Sequence, residues 1–430
     1  MRSGDTIVAL SSGAPPSGVA VIRLSGPDVP KILQAVTGDL PEPRRLTLRP
    51  IGRDSLLDRG LVAWFPAPYS FTGDDCAELQ VHGSPAGVRA ILKLIVTQGA
   101  RLAEAGEFTR RAFENGKLDL VVIEGLGDLL EAETENQRRQ ALTRFEGGLS
   151  QRIDAWRDQL LDLRAEIEAR LDFSDEGDVA DALPESFGAS ISALKDDIGT
   201  ALASVEHGRI VREGIRVALA GAPNAGKSSL LNALAKSNIA IVTDEAGTTR
   251  DVREVPLDIN GQLYILIDLA GLRDTDSKAE AEGIRRARLA IEQADIVLWL
   301  TAPDVADLDA EQRAAADIRV GTKLDLGGVD AADIGVSTAT GAGLDRLLTA
   351  IEFIGQTLIG GEPALLSRER DRAALAAATE ALDTAAAELS VPELAAESLR
   401  SASQALERLV GRIDAERVLD RLFASFCIGK

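Results

Sequence analysis

Gly221-Ala222-Pro223-Asn224-Ala225-Gly226-Lys227-Ser228 stands between an apolar run, Ile215-Arg216-Val217-Ala218-Leu219-Ala220, and Ser228-Ser229-Leu230-Leu231-Asn232-Ala233-Leu234. The first flank reads as a buried strand and the second as a helix. A glycine loop between strand and helix lets backbone N–H groups wrap a phosphate, with the helix N-terminus adding positive potential. The pattern is that of a P-loop, in which Lys227 is expected to reach the β- and γ-phosphates and the Ser228 hydroxyl to bind Mg²⁺.

Downstream spacing selects the base. Asp268-Leu269-Ala270-Gly271 follows the apolar strand Leu263-Tyr264-Ile265-Leu266-Ile267. Asp268 is expected to hold the metal through water and the Gly271 N–H to sense the γ-phosphate. Asn260-Gly261 between two strand-like runs signals a hairpin. The stretch Thr243-Asp244-Glu245-Ala246-Gly247-Thr248-Thr249 lies where a switch loop belongs, with Thr249 as the threonine that caps Mg²⁺. Thr322-Lys323-Leu324-Asp325 follows the apolar run Ile296-Val297-Leu298-Trp299-Leu300. The Asp325 carboxylate can accept from guanine N1–H and N2–H, a donor pair that adenine lacks. Ser337-Thr338-Ala339 fits the loop that closes over the base. The nucleotide set is thus Asn224 to Ser229, residues 243–249, Asp268 to Gly271, Thr322, Lys323, Asp325 and Ser337 to Ala339. Each short motif is weak alone; their order behind a P-loop predicts a GTP-binding α/β domain. Two departures stand out: Leu269 replaces the usual Thr of DTAG, and Thr322 replaces the usual Asn of NKxD. That Asn normally bonds guanine N7 and braces the P-loop, so the lost bond is expected to cost on the order of 1 kcal/mol.

The rest of the chain sets this block in context. With 430 residues, 45% hydrophobic and 27% charged, the chain has room for two to four globular domains. Aromatics are 3%, so cores must be built from aliphatic residues. Met1-Arg2-Ser3-Gly4-Asp5 does not resemble a signal peptide, and no apolar run approaches the roughly 20 residues of a membrane span. Cys76 and Cys427 lie far apart, against a disulfide framework, and two histidines offer no zinc site. A cytoplasmic location is expected. The net charge of −21 opposes indiscriminate nucleic-acid binding.

Residues 1–117 read as a mixed α/β domain, with strands at Asp5–Leu10, Gly18–Leu24, Leu61–Phe65 and Cys76–Val81 and a helix from Pro85 to Gln98. From Leu118 the pattern turns helical, with Leu142, Phe145, Leu149, Ile153, Trp156, Leu160, Ile167 and Leu171 on one stripe. The acidic run 172–178 ends it. After about Gly360 an Ala-rich helical pattern resumes, carrying Leu399, Ala402, Leu406, Leu409 and Ile413. Helical flanks around an α/β block predict an insertion: a leading helical segment over 118–213, an inserted Ras-like G domain over 214–360, and a trailing helical segment over 361–430. The expected fold is multidomain α/β, with an N-terminal α+β domain, a helical bundle and the inserted P-loop domain.

The motifs and their flanks resemble the tRNA uridine-5-carboxymethylaminomethyl modification GTPase, the MnmE (or TrmE) family, over nearly the whole chain. Val21-Ile22-Arg23-Leu24-Ser25-Gly26, Ser70-Phe71-Thr72-Gly73-Asp74-Asp75, Glu78-Leu79-Gln80-Val81-His82-Gly83 and Gly106-Glu107-Phe108-Thr109-Arg110-Arg111 carry the likeness. So does the ending Phe426-Cys427-Ile428-Gly429-Lys430, which a generic GTPase has no reason to carry. The resemblance implies an N-terminal domain that dimerises and binds a tetrahydrofolate derivative (5-formyl or 5,10-methylene), with Arg23, Glu78, Lys117 and Lys430 contacting it. It implies a K⁺ held by Asn224, Thr243, Glu245 and Thr248 in place of an arginine finger, since Leu272 occupies the position of a water-orienting glutamine. It also implies Glu280 as the residue orienting the attacking water, and Cys427 near the modification centre as a candidate catalytic residue. A MnmG (GidA)-type FAD-dependent flavoprotein, joined in a heterotetramer, would supply most of the tRNA contact. The implied activity is GTP-driven addition of a carboxymethylaminomethyl group at C5 of the wobble uridine. The alternatives are a GTP-dependent regulatory switch or ribosome-assembly GTPase without modification activity, and a folate-dependent transferase with a degenerate G domain.

Overall fold

The computed structural model describes residues 4–172, 183–241, 253–268, 289–305, 315–328, 332–360, 364–413, 416–426 and 429. Contacts divide the chain into two units, residues 1–127 with 403–430, and residues 128–402.

The elements up to Gly127 begin with β1 (Ile7–Leu10), β2 (Ser17–Ser25) and α1 (Val29–Thr37), then β3 (Thr47–Gly52), β4 (Leu56–Phe65) and β5 (Cys76–Gly83). There follow α2 (Pro85–Thr97), β6 (Arg101–Leu102), α3 (Glu107–Glu114) and α4 (Leu120–Glu131), the last running on past Gly127. The strands form one sheet in the order β3-β4-β5-β2-β1-β6. Alternation sets its faces: Ala20, Ile22 and Leu24 of β2 are buried while the residues between them are not all so. The helix α2 starts where Ser84 accepts from the Gly87 N–H and Pro85 presets the first turn. It buries Val88, Ile91 and Ile95 with Ile32, Leu33 and Val36 of α1 in one cluster.

The second unit continues with α5 (Glu135–Phe145), α6 (Gly148–Asp172), α7 (Glu185–Ala203) and α8 (Val205–Glu213). The α/β block follows as β7 (Ile215–Gly221), α9 (Lys227–Ala235), β8 (Arg253–Ile259), β9 (Gln262–Asp268), β10 (Ile296–Thr301), β11 (Ile318–Gly321), β12 (Ile334–Gly335) and α10 (Leu344–Ile359). Last come α11 (Glu369–Ala387), α12 (Pro392–Leu409), which runs past Ala402, and α13 (Glu416–Ser425). The block's sheet order is β12-β11-β10-β7-β9-β8, parallel except for β8. Its β8–β9 turn has positive φ at Asn260 (51°) and Gly261 (84°), the geometry that an Asn-Gly hairpin demands. Leu230, Leu231 and Leu234 of α9 and Leu347 and Ile351 of α10 pack in the cluster built on the strands.

The expected apolar stripe holds from Leu149 onward, where Leu149, Ile153, Trp156, Leu160 and Ile167 are buried along α6. The pattern does not continue as one helix from Leu142, because Gly147 (φ 86°) separates α5 from α6. Trp156 donates its indole N–H to Asp197 of α7 at 2.6 Å, and Lys195 of α7 pairs with Asp383 of α11 at 2.7 Å. The helices before and after the α/β block therefore pack together.

The helix α5 ties both ends of the block down through polar groups. Asn136 donates its backbone N–H to Gly261 O (2.9 Å), and the Gln137 side chain donates to Arg212 O (2.9 Å). Gln140 donates to Gly208 O (3.2 Å) and Ala364 O (2.5 Å). Arg144 donates to Leu365 O (2.7 Å) and the Ser367 hydroxyl (2.9 Å). Positions 136, 137, 140 and 144 share a helix face. That face holds the incoming helix α8, the β8–β9 turn and the outgoing strand of chain before α11.

In the first unit the late residues complete the early ones. Leu419, Phe423 and Phe426 cluster with Leu120 and Ile123. The rings of Phe423 and Phe426 meet edge to face at 6.0 Å. Ser11 donates its hydroxyl to Gly429 O at 2.7 Å.

Candidate functional site

The block's parallel strands present their C-terminal ends together, the edge where an open α/β sheet binds ligands. The loop after β7 leads into α9 with Gly226 at φ 92°, and a Cβ there would sit 3.1 Å from the Thr322 hydroxyl oxygen. Asn224 is also left-handed (φ 63°) and exposed, so its side chain is available on the loop's outer side. Ala225 is buried and Ser229 is exposed. Lys227 is 7% exposed, and its ammonium donates to Gly221 O and Ala222 O, both at 2.8 Å. The Ser228 hydroxyl donates to Asp268 Oδ2 at 2.5 Å. Hydroxyl and carboxylate thus converge beside the loop as hard oxygen donors, the set that suits Mg²⁺ when phosphate and water supply the remaining ligands.

The end expected to face the base is built from the segments after β11 and β12. Asp325, exposed, accepts from the Ser337 hydroxyl at 2.5 Å, which fixes the carboxylate's orientation. Ser337 is in turn held by its N–H to Ala342 O (2.9 Å) and by the Gly341 N–H to its carbonyl (2.9 Å). Thr338 and Ala339 lie exposed in that turn. Lys323 stands in a left-handed conformation (φ 53°), its ammonium on both carboxylate oxygens of Asp304 at 2.8 and 2.7 Å. Asp304 carries no local sequence signal; only the closure of the chain after β10 against that after β11 brings it to Lys323. Thr322 keeps the brace expected of the missing Asn, since its hydroxyl lies 2.6 Å from Ala225 O.

The structure therefore brings Asn224 to Ser229, Asp268, Thr322, Lys323, Asp325 and Ser337 to Ala339 to one sheet edge. Thr243, Asp244, Glu245, Ala246, Gly247, Thr248, Thr249, Leu269, Ala270, Gly271 and Glu280 lie outside the described residues, as do Cys427 and Lys430.

In the first unit Arg23 and Glu78 are register partners across β2 and β5. Arg23 donates to Glu78 Oε1 from Nε (3.1 Å) and Nη2 (2.8 Å), with its guanidinium 5.6 Å from the Phe71 ring centroid. Lys117 is exposed near Gly73, where an added Cβ would meet the Lys117 side chain at 3.3 Å. Asn115, two positions earlier, donates to Thr72 O at 2.7 Å.

Sequence reasoning missed a charged network in this unit, because its members are spread over the chain. Arg101 pairs with Asp5 (2.6 Å) and Glu107 (2.5 Å), and Arg111 reaches both, at 2.7 and 3.2 Å. Burial by itself raises the carboxyl of Glu107, 1% exposed, but the hydrogen bonds and charge of Arg101, the Glu104 N–H and Arg111 hold it below the ordinary carboxylate value. Asp5 is likewise raised by burial and lowered further by Arg101 and Arg111, with the same net direction. Both carboxyls are depressed in the folded state, so their stabilisation is complete above about pH 4–5 and is lost as pH falls through their folded values. Protection of the β1 and β2 amides from hydrogen exchange, taken relative to the unfolded-chain rate at each pH, is expected to fall below about pH 4. Glu107→Gln should flatten that dependence; an unchanged profile would show that the network does not carry it.

A family model for the MnmE helical domain matches residues 120–427, and one for the GTP-binding protein TrmE N-terminus matches residues 6–117. The tRNA modification GTPase MnmE of Rhizobium johnstonii is 50% identical over 99% of this chain and 99% of its own length. That of Azorhizobium caulinodans is 50% identical over 100% of both. Among solved structures, the G domain of the T. maritima FeoB iron transporter aligns at 28% identity and a TM-score of 0.25, over 33% of this chain and 99% of that one. Likeness over the full length of both chains makes the assignment: the chain belongs to the MnmE (TrmE) family of tRNA modification GTPases, which implies binding of GTP and Mg²⁺.

Proposed function

We propose that this GTPase acts in the cytoplasm with a FAD-dependent flavoprotein of the MnmG type, in a heterotetramer, to add a carboxymethylaminomethyl group at C5 of the tRNA wobble uridine. A tetrahydrofolate derivative, 5-formyl or 5,10-methylene, held by Arg23, Glu78, Lys117 and Lys430, supplies the carbon bonded to C5, and a glycine-class amine supplies the carboxymethylamino remainder. The observation that carries this reading is that Phe426 and Gly429 belong to the same unit as Arg23, Glu78 and Lys117. Cys427 falls between them in sequence, outside the described residues. Arg23 suits a folate carboxylate and Glu78 a pterin donor edge. Their mutual ion pair supports a site that is charge-balanced until a ligand competes for it.

The division is into an N-terminal domain of 1–117, helical segments of 118–213 and 361–430, and a G domain of 214–360. Two copies of the chain associate. Leu46, Leu48 and Leu61 favour this: all are exposed, and Leu48 and Leu61 oppose each other on β3 and β4, where β3 is a sheet edge. An acidic chain of net charge −21 leaves most tRNA contact to the flavoprotein. Among the described residues no helix is long and apolar enough to cross a membrane.

Hydrolysis is promoted by K⁺ held by Asn224, Thr243, Glu245 and Thr248, with Glu280 orienting water and Thr249 completing the Mg²⁺ site. The exposed, left-handed Asn224 supports this, because its side chain is not consumed within the loop. Hydrolysis should run about tenfold or more faster in K⁺ than in Na⁺, and Asn224→Ala should erase the difference. Equal rates in both salts would remove the K⁺ assignment. Mass analysis of tRNA from a strain lacking this chain tests the whole reading. The C5 substituent should vanish from wobble uridine and return with the native chain; its persistence in the deletion strain would end the proposal.

A further inference from the structure

Thr322 is 3% exposed, and its hydroxyl oxygen lies 2.6 Å from Ala225 O and 3.0 Å from Thr301 O. Both neighbours are carbonyls, which only accept. A hydroxyl has one proton. The shorter distance gives that proton to Ala225 O, and the Thr301 carbonyl already accepts the Thr322 N–H at 2.8 Å. Nothing polar on this side chain is left to donate outward; what remains is its methyl group. Guanine N7 is an acceptor and needs a donor. The neighbouring Lys323 ammonium is bound to both oxygens of Asp304, and the Leu324 N–H donates to Val336 O at 3.1 Å.

We propose that base recognition in this chain is insensitive to N7: Thr322 is committed to bracing the phosphate loop, and guanine is selected through its N1–H and N2–H edge by Asp325, held by Ser337. This deepens the GTPase assignment and rests on it. A family pattern with Asn at this position combines brace and N7 contact in one amide, which has two N–H donors and a carbonyl oxygen; a hydroxyl can do only one of the two. The chain therefore accepts 7-deazaguanine nucleotides as well as guanine nucleotides, while inosine nucleotides, which lack the N2 amine, bind more weakly.

Equilibrium binding of GDP, 7-deaza-GDP and IDP to the full-length protein tests this. The native chain should bind 7-deaza-GDP within about twofold of GDP, and IDP about tenfold or more weaker, because an unpaired Asp325 oxygen is left behind. Thr322→Asn supplies a donor, so 7-deaza-GDP should fall to about one fifth the affinity of GDP. Thr322→Val removes the brace alone and should weaken both ligands in equal proportion, keeping their ratio near one. A fivefold or greater preference of the native chain for GDP over 7-deaza-GDP overturns the proposal. So does a Thr322→Val variant in which that ratio changes. Failure to bind GDP at all would overturn the guanine assignment along with it, a result distinct from GDP bound and its deaza analogue lost.

Discussion

Lys227→Ala is expected to lower kcat/KM for GTP hydrolysis by about 10²–10³-fold. The ammonium sits 2.8 Å from each of the Gly221 and Ala222 carbonyls, at the mouth of the loop where phosphate charge arrives. At 7% exposure it acts in a partly desolvated place, where a fixed positive charge is worth far more than in water. The helix N-terminus and loop amides remain in the variant, which is why some nucleotide affinity should survive while hydrolysis collapses. Arginine should not rescue it, because the planar guanidinium is bulkier and cannot enter the ammonium's place between the two carbonyls. Single-turnover hydrolysis with a circular-dichroism control for folding decides the matter; a loss under tenfold would mean that Lys227 does not face the phosphates.

The largest effect on stability is expected at Arg144. Its side chain and that of Asp371 are both fully buried, 3.6 Å apart. Asp371 Oδ2 also accepts the Ser367 and Arg368 N–H groups at 3.2 Å each, capping the start of α11. Arg144→Met would take this donor from the Leu365 carbonyl and the Ser367 hydroxyl, and would leave the Asp371 carboxylate with its two N–H donors and the more distant Arg370 at 3.8 Å. Breaking one side of a buried pair costs about 3–5 kcal/mol, far more than the median surface ion pair. The second unit's urea midpoint should fall accordingly, and Asp371→Asn added to Arg144→Met should recover part of the loss, since the amide oxygen still accepts the two N–H groups. A single-variant cost below about 1 kcal/mol would refute this account.

These two residues mark what the amino-acid sequence discloses and what it conceals. Lys227 was legible because a phosphate loop is local: its glycines, its lysine and its flanking strand and helix are contiguous in the chain. The Asn260-Gly261 hairpin was legible for the same reason, because left-handed φ at two successive positions needs those residue types. Arg144 was not legible. The helix α5 buries Gln140, Ala141 and Arg144 rather than an apolar stripe, so hydrophobic periodicity finds no face there. The carbonyl and hydroxyl that Arg144 reaches are more than 220 positions away, and any residue type supplies a carbonyl. The two-residue β6 and the short α1 escaped for lack of length. The Lys323–Asp304 pair escaped because a lone aspartate after a strand has no distinguishing neighbour. Thr322 lies between these cases: the sequence exposed the substitution, but only the 2.6 Å approach to Ala225 O revealed which of two duties survived it.

The packing of Phe423 and Phe426 on Leu120 and Ile123 has a consequence for the order of synthesis. The first unit is opened by residues before 128 and closed by residues after 402. At about 5–20 residues per second, roughly 15–60 s separate translation of residue 127 from that of the closing segment. Throughout that interval Leu120 and Ile123 of α4 in a nascent chain lack their apolar cover. Premature termination after residue 402 would therefore leave an N-terminal unit with a permanent oily scar, a substrate for chaperones and proteases.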